Sequence, residues 1–333
     1  MAAASSEHGG RSSAPGYQAL AYEVAAYEDS SRRVFDVSGD RAIEALNGLV
    51  TADLEATGAD AAFPTLILTP KGKVLADAVI LRAGGRVLLD VPETAWPDLE
   101  KHFSRYLPPR FARLEPSSLR VVRVRGPLAL EREGTDPVLV ALDGPTYTAR
   151  DGSHRAVAAY RGGLAARPPE GFDLYLPPEV AHGLDLPEAS PEAWELWRIE
   201  SGIPLFGRDV TQDNLPQETG LVPERVSFAK GCYTGQEVVA RIHYRGHVNR
   251  NLCGIQVGGP SVGPPLHAGD EVVADDRVVG SVTSAVESPT HGWIGLGYVR
   301  RELEAGDEVV VRPPDGKTDI PVFARVVNLP FGS

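Results

Sequence analysis

Apolar and polar positions follow two periods along this chain, and the change between them divides it. Residues 34–37 read as a short strand. The apolar residues after it, Ile43, Leu46, Leu49 and Val50, recur at helical spacing, with Ser38 or Asp40 as the expected N-cap. Residues 65–68 form a β-rich run, Pro70-Lys71-Gly72-Lys73 predicts a hairpin turn, and 74–81 supply the returning strand. Gly84-Gly85 turns into a strand at 87–91. A helix over 94–106 is then stopped by Pro108-Pro109. Further strands are predicted at 119–124 and 172–176. The clearest helix has Ser190 at the N-cap, Pro191 in its first position and Gly202 beyond its end. From about Val248 the pattern becomes short strands between Gly and Asp turns, at 253–257, 271–274, 278–283, 293–299, 308–312 and 323–327. Six strands at that spacing predict a small antiparallel barrel or sandwich. The boundary falls near Gly246, so 17–245 form a mixed α and β region and 246–333 a β domain.

A chain of 333 residues is long enough for two or three packed units. It has no apolar run of about 18 residues, so no transmembrane helix is predicted and no membrane partner is expected. Residues 1–16 are rich in Ala, Ser and Gly, with neither a basic start nor an apolar stretch. They read as a disordered tail rather than a secretory signal. Cys232 and Cys253 are the only cysteines, too few for a disulfide scaffold and without the paired spacing of a zinc site. No metal site is expected, and a reducing cytoplasm fits best. A net charge of −12 argues against a nucleic-acid platform, although Arg241, His243, Arg245, His247 and Arg250 make one local basic stretch.

Three positions stand out chemically. Asp77 shares a strand face with Leu75, Val79 and Leu81, while the other face is also apolar. A carboxylate there is costly unless it is paired. It either accepts N–H groups of a bound heterocycle or is tied to a neighbouring backbone group or an arginine. Glu200 lies on the apolar stripe of Leu196 and Trp197, at a helix C-terminus where the macrodipole disfavours an acid. Cys232 sits between Gly231 and Gly235. If the segment from Tyr233 is helical, the helix N-terminus and Lys230 both favour its thiolate; the alternative is an inert, buried cysteine. Gly295-Leu296-Gly297 lacks the third glycine of a dinucleotide loop and reads as a turn.

The segment Lys230-Gly231-Cys232-Tyr233-Thr234-Gly235-Gln236-Glu237, followed by Val238-Val239-Ala240-Arg241, resembles the signature of the YgfZ family, itself related to the T-protein (aminomethyltransferase) of the glycine cleavage system. The segments 198–209 and 215–221 resemble that family's central helix, the loop after it and the stretch that follows. Val124-Arg125-Gly126-Pro127 and Ser288-Pro289-Thr290 are similar to further landmarks. The resemblance implies an α+β fold: a T-protein-like ring of two interlocked α+β subdomains plus a C-terminal antiparallel β-barrel. It also implies tetrahydrofolate in a central channel, Glu200 on the pterin ring, Asp77 close to the folate, and Tyr233, Gln236 and Arg241 as further folate-binding residues. T-proteins carry two adjacent acids where this chain has Ala76-Asp77, and they lack the cysteine motif. YgfZ-like proteins are associated with folate-dependent assembly or repair of iron–sulfur proteins. The expected chemistry therefore centres on Cys232, assisted by Lys230, with iron–sulfur client or assembly proteins as partners. A folate-dependent aminomethyl- or methyltransferase and a non-catalytic interaction scaffold are the two alternatives.

Overall fold

The strand-period segments pair into two five-stranded antiparallel sheets and a closed barrel. The computed structural model describes residues 14–56, 61–83, 85–129, 157–160, 163–166, 171–181, 184, 186–258, 265–314 and 322–332. The first described elements are α1 (Tyr17–Tyr22) and β1 (Ala25–Glu28). Next come β2 (Arg32–Ser38), α2 (Ala42–Asn47), β3 (Ala61–Leu68), β4 (Val74–Ala83), β5 (Arg86–Pro92), α3 (Trp96–Tyr106) and β6 (Arg113–Pro116). Their strands form the first sheet in the order β3-β4-β5-β2-β6. The second sheet combines β1 with β7 (Arg120–Arg125), β8 (Val157–Tyr160), β9 (Gly163–Ala166) and β10 (Gly171–Leu176), in the order β1-β7-β10-β9-β8. Because β1 precedes the whole first sheet yet pairs with β7 after it, the chain starts in one unit, builds the other and returns. The two α+β units are interlocked.

After α4 (Pro178–Ala181) come α5 (Pro191–Glu200), α6 (Val222–Arg225) and α7 (Gln236–Arg245). The six C-terminal strands are β11 (Arg250–Val257), β12 (Glu271–Ala274), β13 (Arg277–Ser288), β14 (Gly292–Arg300), β15 (Glu308–Arg312) and β16 (Val322–Val327). They close a barrel in the order β11-β14-β13-β12-β15-β16, around Ile255, Val272, Val282, Val299 and Val311. Closure removes the exposed edges that an open sheet of short strands would present.

Alternation decides which face each sheet buries. On the first sheet, Phe35, Val37, Ile80 and Leu89 pack beneath Leu46 of α2 and Leu99 and Phe103 of α3. Their alternates Val34, Val79, Leu81 and Leu88 face the second sheet, meeting Val121 and Tyr175. Each such fully buried side chain contributes about 1.5–3 kcal/mol.

Several boundaries differ from the sequence reading. Neither Ser38 nor Asp40 caps α2. Arg41 holds the N-cap position, its guanidinium donating to Glu44 and stacking 4.3 Å from the Phe111 ring centroid. Gly295 and Gly297 lie inside β14 rather than in a turn, where a Cβ would come within 2.6 and 2.7 Å of β13 carbonyl oxygens. They admit the close pairing beside the bulge between Val282 and Ser284. The expected tail of residues 1–16 falls largely, over 1–13, outside the described residues. Pro15 is bound in place, accepting from the Ser190 N–H at 2.9 Å. Ser190 caps α5 as expected, accepting from the Ala193 N–H.

Candidate functional site

The Cys232 loop is stitched to the turn after α2. Thr234 N–H donates to Gly48 O at 3.0 Å and Ser227 N–H to Thr51 O at 2.9 Å. Lys230 points inward. Its Nζ donates to Asn47 O (2.6 Å), Asn47 Oδ1 (2.8 Å), Ala52 O (2.7 Å) and Val50 O (2.9 Å). Burial pushes this ammonium down to about 8, so it stays protonated at neutral pH. The expected assistance from Lys230 to Cys232 therefore takes another form: the ammonium is consumed by the α2 turn and acts as an anchor for the loop. Lys230→Met is expected to cost about 3 kcal/mol of stability, because four acceptors, two of them buried, lose a charged donor. A guanidinium unfolding curve checks this, and a loss below about 1 kcal/mol would contradict the anchor.

The loop presents Cys232 to solvent. The helix that follows starts later than expected, at Gln236, with Gly235 as its N-cap at φ 82°. Cys232 thus precedes the first turn, and the helix-dipole argument for its thiolate does not apply. Packing explains the delay. A Cβ on Gly235 would lie 2.7 Å from Thr69 O, and one on Gly72, at φ 73°, would lie 2.8 Å from Val238 Cβ. The β3–β4 hairpin turn and the start of α7 approach so closely that only glycine fits on either side.

Tyr233 turns inward, into an apolar cluster with Leu66, Leu68, Val74 and Val239. Burial pushes its phenol up to about 12, and its hydroxyl has no partner among the described residues. Leu66 is the cross-strand partner of Asp77, so the Tyr233 ring packs on the sheet face that carries Asp77. Gln236 caps the loop weakly, its Nε2 lying 3.4 Å from Gly231 O, and Arg241 is exposed on α7.

Asp77 opens a chain of charges between the two sheets. Its Oδ2 lies 3.0 Å from Arg32 Nη1 and 3.8 Å from Arg225 Nη1. Arg32 Nε also donates to Asp90 Oδ1 at 2.7 Å, and Tyr175 Oη donates to Asp90 Oδ2 at 2.9 Å. Arg123 Nη1 then meets Asp173 Oδ2 at 2.9 Å, and Arg125 Nη2 meets Asp173 Oδ1 at 2.6 Å. Burial pushes the Asp77 carboxyl up, but Arg32 and then Arg225 outweigh it and hold the group below the ordinary carboxylate value. Of the two readings of Asp77, the tie to arginine is present. Its Oδ1 accepts no hydrogen bond among the described residues. Sequence reasoning missed Arg32, Asp90, Arg123, Asp173 and Arg225. The signal that exposed Asp77, a charge inside an apolar strand run, is equally present in Leu89-Asp90-Val91 and Phe172-Asp173-Leu174.

Glu200 lies elsewhere, at the end of α5. It accepts from Tyr17 Oη (2.9 and 3.0 Å to its two oxygens) and from Ser288 Oγ at 2.6 Å. Burial and the adjacent Glu200 carboxylate push the Tyr17 phenol up, so it remains a donor at any ordinary pH. The acid on the apolar stripe thus joins α1 and α5 to the barrel while retaining unused lone pairs. A second junction is built by Arg198, whose guanidinium reaches Glu195 (2.6 Å), Asp209 (2.9 Å) and Ser284 (2.8 Å). The structure therefore brings Tyr233 to the sheet face of Asp77, while Lys230 ties the same loop to the α2 turn and Cys232 and Gln236 lie on its exposed side. Glu200 shares no bonding partner with them.

Cys253 is half-buried against the barrel core, and burial pushes its thiol up to about 12, which makes it inert. Among the described residues no group of three or more His, Cys, Asp or Glu side chains could hold a metal ion, and no helix is long and apolar enough to cross a membrane.

Comparison with known proteins places this geometry. Residues 250–331 match the glycine cleavage T-protein C-terminal barrel domain. The aminomethyltransferase of Rubrobacter xylanophilus is 30% identical, over 90% of this chain and 82% of its own length. The aminomethyltransferase of Thermosynechococcus vestitus is 26% identical, over 95% and 86%. The mitochondrial iron-sulfur cluster assembly factor IBA57 homolog of Chaetomium globosum is 27% identical over 69% of this chain and 56% of its own. The solved structure of the glycine cleavage system aminomethyltransferase T from Bartonella henselae superposes with a TM-score of 0.77, at 19% identity, over 95% of this chain and 88% of that one, which establishes the fold. With two interlocked α+β units, a T-protein barrel and 30% identity across 82% of a full-length relative, the chain belongs to the aminomethyltransferase family.

Proposed function

We propose that this protein is a tetrahydrofolate-binding accessory factor of the YgfZ branch, serving the assembly or repair of iron–sulfur proteins through Cys232. One observation carries the reading: a loop clamped by Lys230 presents an exposed thiol next to Tyr233, whose ring packs on the sheet face of an acid held in ion pairs. A carboxylate kept ionised by Arg32 and Arg225 is a weak proton acceptor, which counts against one-carbon transfer driven by Asp77. The relative named as an iron-sulfur cluster assembly factor supports the same direction.

The residues present fit a folate. A folate offers several N–H groups, and Asp77 Oδ1 and the remaining lone pairs of Glu200 are two separate acceptors for them. The unpartnered Arg225 Nε and Tyr233 hydroxyl add two buried donors. Tetrahydrofolate, when bound, supplies one-carbon or reductive chemistry of its own. The chain's residues orient it: Arg32 fixes the Asp77 carboxylate, and Tyr17 and Ser288 fix that of Glu200. The cluster is cargo. Cys232 provides one soft ligand, and the other ligands come from the client, since clusters ordinarily take four. Two free thiols fit a reducing compartment such as the cytoplasm.

Calorimetric titration with tetrahydrofolate under reducing, anaerobic conditions tests the pocket. Saturable binding is expected, with Glu200→Gln weakening it about tenfold while the fold is kept. Unchanged affinity in that variant would remove Glu200 from the pocket, and absence of binding to the wild-type protein would leave only the scaffold reading. The transferase reading is favoured by the long aminomethyltransferase alignments, and it requires full activity without Cys232.

A further inference from the structure

The basic stretch that ends in Arg250 leads to a cavity unrelated to the folate reading. Arg250 begins β11 and lies directly opposite Arg300 of β14 in their antiparallel register. Both line a cavity of about 500 Å³ on the barrel, together with Asn249, Ser281, Tyr298 and Glu302. Like charges directly opposite on one sheet face repel. The chain compensates only one of them: Arg250 Nε lies 3.4 Å from Glu218 Oε1, and its guanidinium stacks 5.0 Å from the Tyr298 ring centroid. Glu302 at the rim is engaged by Arg301 at 3.5 Å, and Arg300 has no carboxylate partner among the described residues. Beneath Arg250 the Tyr298 hydroxyl is buried without a hydrogen-bond partner, although buried hydroxyls are normally satisfied. Ser281 faces Tyr298 across β13 and β14 and adds a further hydroxyl to the same wall.

We propose that this cavity is an oxyanion-binding site, in which Arg250 and Arg300 together clamp a phosphate or carboxylate group of a small molecule. Two arginines opposite each other in register and lining one cavity supply several N–H donors, which match the planar geometry of a carboxylate or the oxygens of a phosphate. The anion removes the cross-strand repulsion that the bare chain tolerates, which is why the cavity selects negative charge although the protein carries a net charge of −12. None of Asp77, Glu200 or Cys232 lines it, so the site stands or falls independently of folate binding.

The test is calorimetric titration of the full chain with inorganic phosphate and, separately, with glutarate, at ionic strength fixed with chloride. Saturable one-to-one binding of at least one probe is expected, with a Kd at or below about 1 mM. Binding of phosphate alone identifies a phosphomonoester class, and binding of glutarate alone a carboxylate class. Arg300→Ala is expected to weaken binding about tenfold, while Arg86→Ala, at an exposed ion pair on the first sheet, leaves it unchanged. Arg300→Glu provides a second readout: phosphate should raise the melting temperature of the wild-type protein but not of this variant. Failure of both probes to saturate by about 10 mM, or wild-type affinity in Arg300→Ala, would overturn the site.

Discussion

Asp90→Ala is expected to lower the unfolding free energy by about 3–5 kcal/mol, the cost of removing one partner from a buried ion pair. Asp90 is completely buried on β5 and accepts from Arg32 at 2.7 Å and from Tyr175 at 2.9 Å, with Arg123 3.8 Å away. Its removal leaves two guanidinium groups and a phenol in the interface between the sheets. Asp90→Asn, which keeps the shape and loses the charge, should cost less than the alanine variant. The network does not make the fold more stable than a well-packed apolar interface would. Its effect is on register: Arg32 and Asp90 from the first sheet can meet Arg123 and Tyr175 of the second only in one relative placement of the two. Urea unfolding followed by tryptophan fluorescence measures the change, and a loss under about 1 kcal/mol would show that the charges are solvated after all. The same network predicts acid sensitivity. The Asp77 carboxyl is held below its ordinary value, so its contribution is present at neutral pH and is lost as pH falls through the ordinary carboxylate range and then the lowered native value.

Cys232→Ser should abolish support of client iron–sulfur enzymes while leaving the fold and folate affinity within about twofold of wild type. The side chain is exposed, so a hydroxyl in its place costs little stability. Chemically the exchange is severe, because a serine hydroxyl neither ionises near neutral pH nor acts as a soft ligand. The assay is client-enzyme activity in cells lacking the native protein. Full restoration by the serine variant would end the cysteine-centred reading and return the transferase to first place. Lys230→Met provides the contrast: its effect should be on stability first, since Lys230 binds the α2 turn.

The sequence by itself determined the elements whose cause is local. The β-barrel was legible because six short alternating runs between Gly and Asp turns have few other ways to pair, and α5 because Ser190, Pro191 and Gly202 mark both its ends. Asp77, Glu200 and Cys232 were legible as exceptions to pattern: acids on apolar faces and a thiol between glycines. Tertiary structure alone decided what those exceptions touch. Whether Asp77 meets a backbone group or an arginine depends on Arg32, 45 residues away in sequence, and on Arg225, which arrives from another element. The assignment of Lys230 to the α2 turn, and the late start of α7, follow from contacts with Asn47, Val50, Ala52 and Thr69, at least 166 residues upstream. Periodicity reports which face of an element is buried, because alternation is set by the backbone of that element. The partner on that face is fixed by how separate elements close against one another, and no local pattern encodes that choice.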